Sequence, residues 1–140
     1  MELPVKLLSQ SAQLPTYAHV TDAGMDVYAD ETVTIAPQQR ALVKTGIAIA
    51  VPVGHVGLVW DKSGIATKTG VTTIAGVIDS GYRGEVQIAL LNTGNTPYDI
   101  RPGQKIAQLL IQPIEHPMLS MVSELPEADR GAKGFGSTGV

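Results

Sequence analysis

The chain has 140 residues, 44% hydrophobic and 16% charged, a balance that fits one folded domain and excludes an intrinsically disordered chain. With 10 basic and 13 acidic residues the formal charge is −3, so no broad surface for DNA or RNA is expected and any phosphate recognition must be local. The absence of cysteine excludes disulfide frameworks and thiolate zinc sites.

His19, His55 and His116 are far apart and share no metal-ligand spacing. Met1-Glu2-Leu3-Pro4 lacks the basic start and apolar block of a signal peptide. No apolar run approaches the ~18 residues of a membrane span. A soluble cytoplasmic protein is expected, with the nucleus as the other possible compartment and with no membrane or nucleic-acid partner.

Helical periodicity is scarce, whereas short runs rich in Val, Ile and Thr recur between Gly and Pro punctuation. Strands are expected at Val5 to Leu8, Val33 to Ile35, Ala41 to Val51 and His55 to Trp60. The segment from Ser63 to Gly70 then breaks the pattern. Ser63 is placed to cap a short helical turn, Lys68 suits its carboxyl end, and Gly70 sits at its stop. Such a start offers free N–H groups to an anion. Further strands are expected at Glu85 to Asn92 and Gln104 to Ile114. In the first of these, Val86, Ile88 and Leu90 share one face, while Glu85 and Gln87 share the other. Turns fall at Pro52-Val53-Gly54, Thr93-Gly94-Asn95 and Arg101-Pro102-Gly103.

This reads as an all-β chain, a jelly-roll-like barrel with one short helical turn. A single domain is expected over residues 1–129, followed by a flexible Gly-rich arm over 130–140. That arm surrounds the chain's only phenylalanine, Phe135, with glycines and adds Arg130, Ser137 and Thr138. Closely approaching backbone N–H groups, a guanidinium fork, hydroxyls and one aromatic ring suit a flat ligand that carries phosphates, a nucleotide.

Five islands interrupt the β pattern: Ala23-Gly24-Met25-Asp26-Val27-Tyr28-Ala29, Lys62-Ser63-Gly64 with its turn, Gly76-Val77-Ile78-Asp79-Ser80-Gly81-Tyr82-Arg83-Gly84-Glu85, Arg101 to Leu109, and the tail. Singly each is a loop. In this order they resemble the five motifs of the trimeric dUTP pyrophosphatase (dUTPase) family, from about Ala23 to Gly139. The most specific pieces are Gly76-Val77-Ile78-Asp79 with Tyr82-Arg83-Gly84-Glu85, and Gly134-Phe135-Gly136-Ser137-Thr138-Gly139.

The resemblance implies a dUTPase β-barrel of jelly-roll type, a homotrimer, and hydrolysis of dUTP to dUMP and pyrophosphate with Mg²⁺ on the triphosphate. That reaction limits uracil incorporation into DNA and supplies dUMP for thymidylate synthesis. Asp79 matches the carboxylate that activates the water, and Tyr82 the ring that packs under deoxyribose. Lys62, Ser63, Gly64 and Gln108 match phosphate-binding positions. Backbone groups of about Thr72 to Val77, including Thr73 and Gly76, match the uracil-selecting segment, where a wrong base leaves polar groups unpaired. Asp26 resembles an outer-sphere carboxylate near the metal's water shell. In the tail, Phe135 would stack on uracil, while Arg130, Gly136, Ser137 and Thr138 would close on the distal phosphates.

Several positions depart from the family pattern. Lys62 stands where arginine is usual, keeping the charge but losing the bidentate fork. Trp60-Asp61 replaces a common Ala-Pro, and no role for Asp61 is evident from sequence. Thr73 occupies a position where many relatives carry asparagine, Gly81 one where many carry a second acid, and Lys133 one where glycine is common. Two other readings compete with dUTP hydrolysis. One is a dCTP deaminase-like enzyme of the same fold, for which Glu85 invites comparison; the other is a non-catalytic nucleotide-binding β module.

Overall fold

A computed structural model describes residues 1–132 of the chain. Lys133 and the expected roles of Phe135, Gly136, Ser137 and Thr138 lie outside the described residues. The elements are β1 (Val5–Leu7), β2 (Met25–Tyr28), β3 (Val33–Ile35), β4 (Arg40–Ile49), β5 (His55–Trp60), α1 (Ser63–Thr69), β6 (Val71–Thr73), β7 (Val77–Ile78), β8 (Glu85–Asn92), β9 (Tyr98–Ile100) and β10 (Lys105–Pro113). They form two four-stranded sheets, β1-β4-β8-β6 and β2-β10-β5-β7, and a β3-β9 pair, every pairing antiparallel. This is the jelly-roll-like β fold expected from the punctuation pattern.

The alternation in β8 sets the inner face: Val86, Ile88 and Leu90 are buried while Gln87 points outward. Facing them across the sheets are Val27, Val59, Ala107 and Leu109, all in one core cluster with Val43, Ile47 and Ile49. Truncating a side chain such as Ile88 to alanine costs about 2–5 kcal/mol through lost burial and an unfilled cavity.

Strict alternation fails where strands bulge. The register between β4 and β8 shifts between Lys44 and Ala48, and Thr45 to Ile49 are all buried. Gly46 makes this possible with φ 66°, because a Cβ there would stand 2.5 Å from Asp30 Oδ2. The bulged amide is not orphaned: Gly46 N–H donates to Glu85 Oε1 at 2.9 Å. Asn92, fully buried, is likewise satisfied, donating to the Ile35 and Thr96 carbonyls and accepting from Gly94 N–H.

The six expected strands are present, three with the expected ends and three with ends shifted by one or two residues, whereas β2, β6, β7 and β9 were not foreseen. Those four are only two to four residues long, too short for a period to stand out. The helical turn is present, but Ser63 is not its cap. Lys62 holds that position with extended backbone and no capping side chain, and Ser63 is the first helical residue. Gly70 ends the helix as expected, left-handed at φ 74°, with its N–H on the Ala66 carbonyl. After β10 the chain continues to residue 132 without a strand or helix, leaving Met118, Leu119, Met121 and Leu125 exposed. Among the described residues no helix is long and apolar enough to cross a membrane.

Candidate active site

Two pockets carry the expected chemistry, and they share no lining residue. Each holds about 300 Å³, at the small end for a ligand site.

The first pocket lies where β2, the end of β5, the start of α1 and β10 meet. Asp26, Lys62, Ser63, Gly64 and Gln108 all line it. Register places Gln108 between Asp26 on one side and Trp60 on the other. Its Nε2 donates to the Asp61 carbonyl at 2.8 Å. Gly24 makes room for this amide, since a Cβ there would lie 2.5 Å from Gln108 Oε1. Ser63 is exposed, and a Cβ on Gly64 would meet nothing within 4 Å. Nothing within the described chain therefore demands a glycine at 64; the open space it faces is the pocket.

Asp26 is 5% exposed and sits between two lysines. Lys62 Nζ donates to its Oδ1, and Lys105 Nζ lies 2.6 Å from its Oδ2. Burial pushes the carboxyl up, but hydrogen bonds and charge from Lys105 and Lys62 prevail and hold it below the usual carboxylate range. The same pairing holds the Lys105 ammonium above its ordinary value. Lys62 is the cation on the pocket wall, which also carries Asp22 and Asp26, and Lys105 helps to offset the Asp26 charge. Lys105 was not singled out from sequence, although its place in β10, three residues before Gln108, puts it near the same pocket wall.

Asp61 also finds its partners. Its Oδ1 accepts Thr73 N–H at 2.6 Å and the Thr73 hydroxyl at 2.8 Å, and its Oδ2 accepts the Thr72 hydroxyl at 2.7 Å. Burial raises this carboxyl, but those three donors outweigh it and lower it below the usual range.

The second pocket is lined by Asp79 and Tyr82 together with Leu42, Val77, Ile78, Glu85, Val86 and Gln87. Asp79 begins a turn closed by Tyr82 N–H on the Asp79 carbonyl at 3.0 Å. The Tyr82 hydroxyl donates to the Glu85 carbonyl at 2.9 Å, which fixes the ring and leaves its face exposed. Gly84 is required by that ring, for a Cβ there would stand 2.4 Å from the Tyr82 hydroxyl oxygen and 2.7 Å from the ring. Arg83 folds back to donate to the Ser80 and Tyr82 carbonyls, bracing the turn. Upstream, Gly76 lets the segment press on β5: a Cβ would lie 2.5 Å from the Val59 carbonyl oxygen, and the Gly76 carbonyl accepts Val59 N–H at 2.8 Å. Thr73 and Gly76 line neither pocket but border the segment that leads into the second. Arg130 lies in the exposed segment beyond β10.

Among the described residues no three His, Asp or Glu side chains gather into a metal-binding group. A hard cation here would be held by phosphate oxygens and water; Asp26 lines the first pocket, with its two oxygens already facing Lys62 and Lys105.

A pocket of lysine, hydroxyl, glycine and amide groups suited to phosphates, and a carboxylate beside an aromatic ring, both carried by a jelly-roll barrel, fit a nucleotide hydrolase. The dUTPase family profile matches residues 10–139. The chain is 45% identical to the deoxyuridine 5'-triphosphate nucleotidohydrolase of Clostridium kluyveri, covering 100% of this chain and 99% of that protein. It is 46% identical to that of Nocardia farcinica, over 98% of this chain and 85% of the other. Among solved structures, the Staphylococcus bacteriophage 80alpha dUTPase with dUPNHPP superposes with a TM-score of 0.95 at 38% identity, covering 99% of both chains. A mutant dUTPase from phage phi11 of S. aureus, described with a coordinated structural Mg(II) ion, superposes with a TM-score of 0.86 at 35% identity, over 91% of this chain and 100% of that one. The chain belongs to the dUTPase family.

Proposed function

We propose that the protein hydrolyses dUTP to dUMP and pyrophosphate, limiting uracil incorporation into DNA and supplying dUMP. The observation that carries this reading is one pocket lined by Lys62, Ser63, Gly64 and Gln108 together with a second that holds an exposed acid beside an aromatic ring. The triphosphate lies along Lys62, Ser63, Gly64 and Gln108, which offer an ammonium, a hydroxyl and amide donors. Deoxyribose packs on the exposed face of Tyr82, and backbone groups of Thr72 to Val77 read uracil. Asp79 takes a proton from water as the water oxygen attacks the α phosphorus and the bond to the bridging oxygen breaks, releasing pyrophosphate.

Mg²⁺ fits this arrangement as a substrate-borne ion, with Asp26 reaching its water shell, and when bound it neutralises phosphate charge. Residues 130–140 form an arm over a core domain of residues 1–129; Phe135 stacks on uracil, and Arg130, Gly136, Ser137 and Thr138 close on the phosphates. The active form is a homotrimer, which gives cover to Met118, Leu119, Met121 and Leu125, exposed in the single chain. It works in the cytoplasm, without nucleic-acid or membrane partners. Glu85 tells against deamination of dCTP, because its carboxylate already accepts Gly46 N–H and serves the β4 bulge.

Pyrophosphate release from dUTP, followed with Mg²⁺ and after chelation, tests the reading, with ammonia release from dCTP measured in parallel. Rapid, metal-dependent pyrophosphate release is expected. Binding of dUTP without turnover would overturn the catalytic assignment, and ammonia from dCTP would replace it.

A further inference from the structure

Two departures from the family pattern, an acid at 61 and threonine at 73, belong to a single hydrogen-bonded unit. Asp61 directly follows β5 of one sheet, while Thr72 and Thr73 lie in β6 of the other, paired to Leu91 and Leu90 of β8. All three side-chain bonds to the Asp61 carboxylate cross between the sheets at 2.6–2.8 Å. A charged acceptor with three short donors is well above the strength of a neutral pair. The main chain of Asp61 is also engaged, since its carbonyl accepts the phosphate-site amide of Gln108 at 2.8 Å. Its neighbour Lys62 is the residue that caps α1 and reaches Asp26.

The segment fastened by this carboxylate is also held by β8, to which β6 pairs Thr72 and Thr73, and Asp61 is the tie that links those residues to the chain entering the phosphate pocket. Beyond Thr73, Ile74 N–H bonds to the Ala89 carbonyl, Ala75 is exposed, and the next tie is Gly76 to Val59. Its start is thus joined both to β8 and to Asp61, and its end to β5. Asp61 directly follows β5, the strand that leads into Lys62-Ser63-Gly64.

We infer that Asp61 is a positioning residue that sets base selectivity by holding the Thr72–Val77 segment at a fixed distance from the phosphate pocket. This rests on the assignment of that segment to the base. Backbone donors and acceptors discriminate only while they are held in place, because a rejected base is one that leaves them unpaired. Releasing the segment lets it adjust to a wrong base and weakens its grip on the right one. Asp61 touches no reacting atom, so the effect falls on binding and selectivity.

The test is calorimetric binding of the non-hydrolysable α,β-imido analogues of dUTP, dTTP and dCTP, alongside steady-state kinetics. Asp61→Ala is expected to weaken binding of the dUTP analogue about tenfold and to reduce its preference over the dCTP analogue by a similar factor. With dUTP, KM rises while kcat stays within about threefold. Asp61→Asn keeps one acceptor oxygen and the side-chain shape, and recovers most of the loss. The Thr72→Val, Thr73→Val pair weakens selectivity in the wild-type background and adds nothing in the Asp61→Ala background. If Asp61→Ala lowers the melting temperature but leaves analogue selectivity unchanged, the inference is overturned. The threonine pair reads the same point should Asp61→Ala not fold, and unchanged selectivity there overturns it equally. Wild-type dUTP turnover is scored separately; its absence would sink the catalytic reading, while the binding ratios still judge Asp61.

Discussion

The two acids of the candidate site occupy opposite environments. Asp26 is buried, with an ammonium on each oxygen, and is held below the usual carboxylate range. Asp79 is exposed on a turn, and among the described residues no donor ties its carboxylate. A carboxylate engaged by two cations is a poor proton acceptor at neutral pH, but it fixes Lys62 on the wall of the first pocket. An untied carboxylate keeps its lone pairs for a water. In the proposed reaction identical side chains thus divide the labour: one organises charge and the other handles a proton.

The largest effect that can break this comparison comes from Asp79→Asn. Turnover of dUTP is expected to fall by about 10³-fold, within the range for removing a general base, while the imido analogue binds nearly as well. Single-turnover pyrophosphate release and calorimetry on the same preparation measure the two halves. A near-native rate would move the base elsewhere. Deleting residues 130–140 is expected to follow, at about 100-fold in kcat, the scale of lost positioning and solvent exclusion. The melting temperature of the β core should stay unchanged, and full activity of the truncated protein would remove the arm from the mechanism.

The next effect belongs to the other acid's partners. Lys62→Met is expected to raise KM for dUTP about tenfold, the loss of one charge-assisted phosphate contact, with a smaller change in kcat. If instead kcat collapses and KM holds, Lys62 serves the chemistry and the division between the pockets dissolves.

How far the sequence exposes this site depends on range. The alternation of Val86, Ile88 and Leu90 and the stop at Gly70 are local patterns, and both are legible. Asp26, Ser63, Gly64 and Gln108 could be grouped from motif order, and the structure brings them to one pocket. The short strands and the cap at Lys62 were not legible, because tertiary partners decide them: β2 and β7 exist only by pairing with β10 and β5. Asp61 is the clearest case. Its neighbours in sequence reveal nothing, since its donors lie 11 and 12 residues away in another sheet. Gly24 and Gly84 are explained only by what a Cβ would strike, an amide and a tyrosine ring.

The smallest expected effect is on stability, and it sharpens the contrast through pH. Folding lowers the Asp26 carboxyl below its ordinary range, so the unfolded chain binds its proton first as acid is added. The stabilisation is complete above the ordinary carboxylate range and is lost as pH falls through it toward the lowered folded value. Because the lysine side chains are 30% and 44% exposed, solvent screens the interaction and the contribution is small. Thermal unfolding from pH 7 to pH 3 should therefore show a steeper loss in the wild type than in Asp26→Asn. Some slope must remain in the variant, since Asp61 is lowered in the same direction by Thr73 and Thr72. Superimposable pH profiles would mean that the lysines repay only the burial of Asp26, leaving the placement of Lys62 on the pocket wall as its whole contribution.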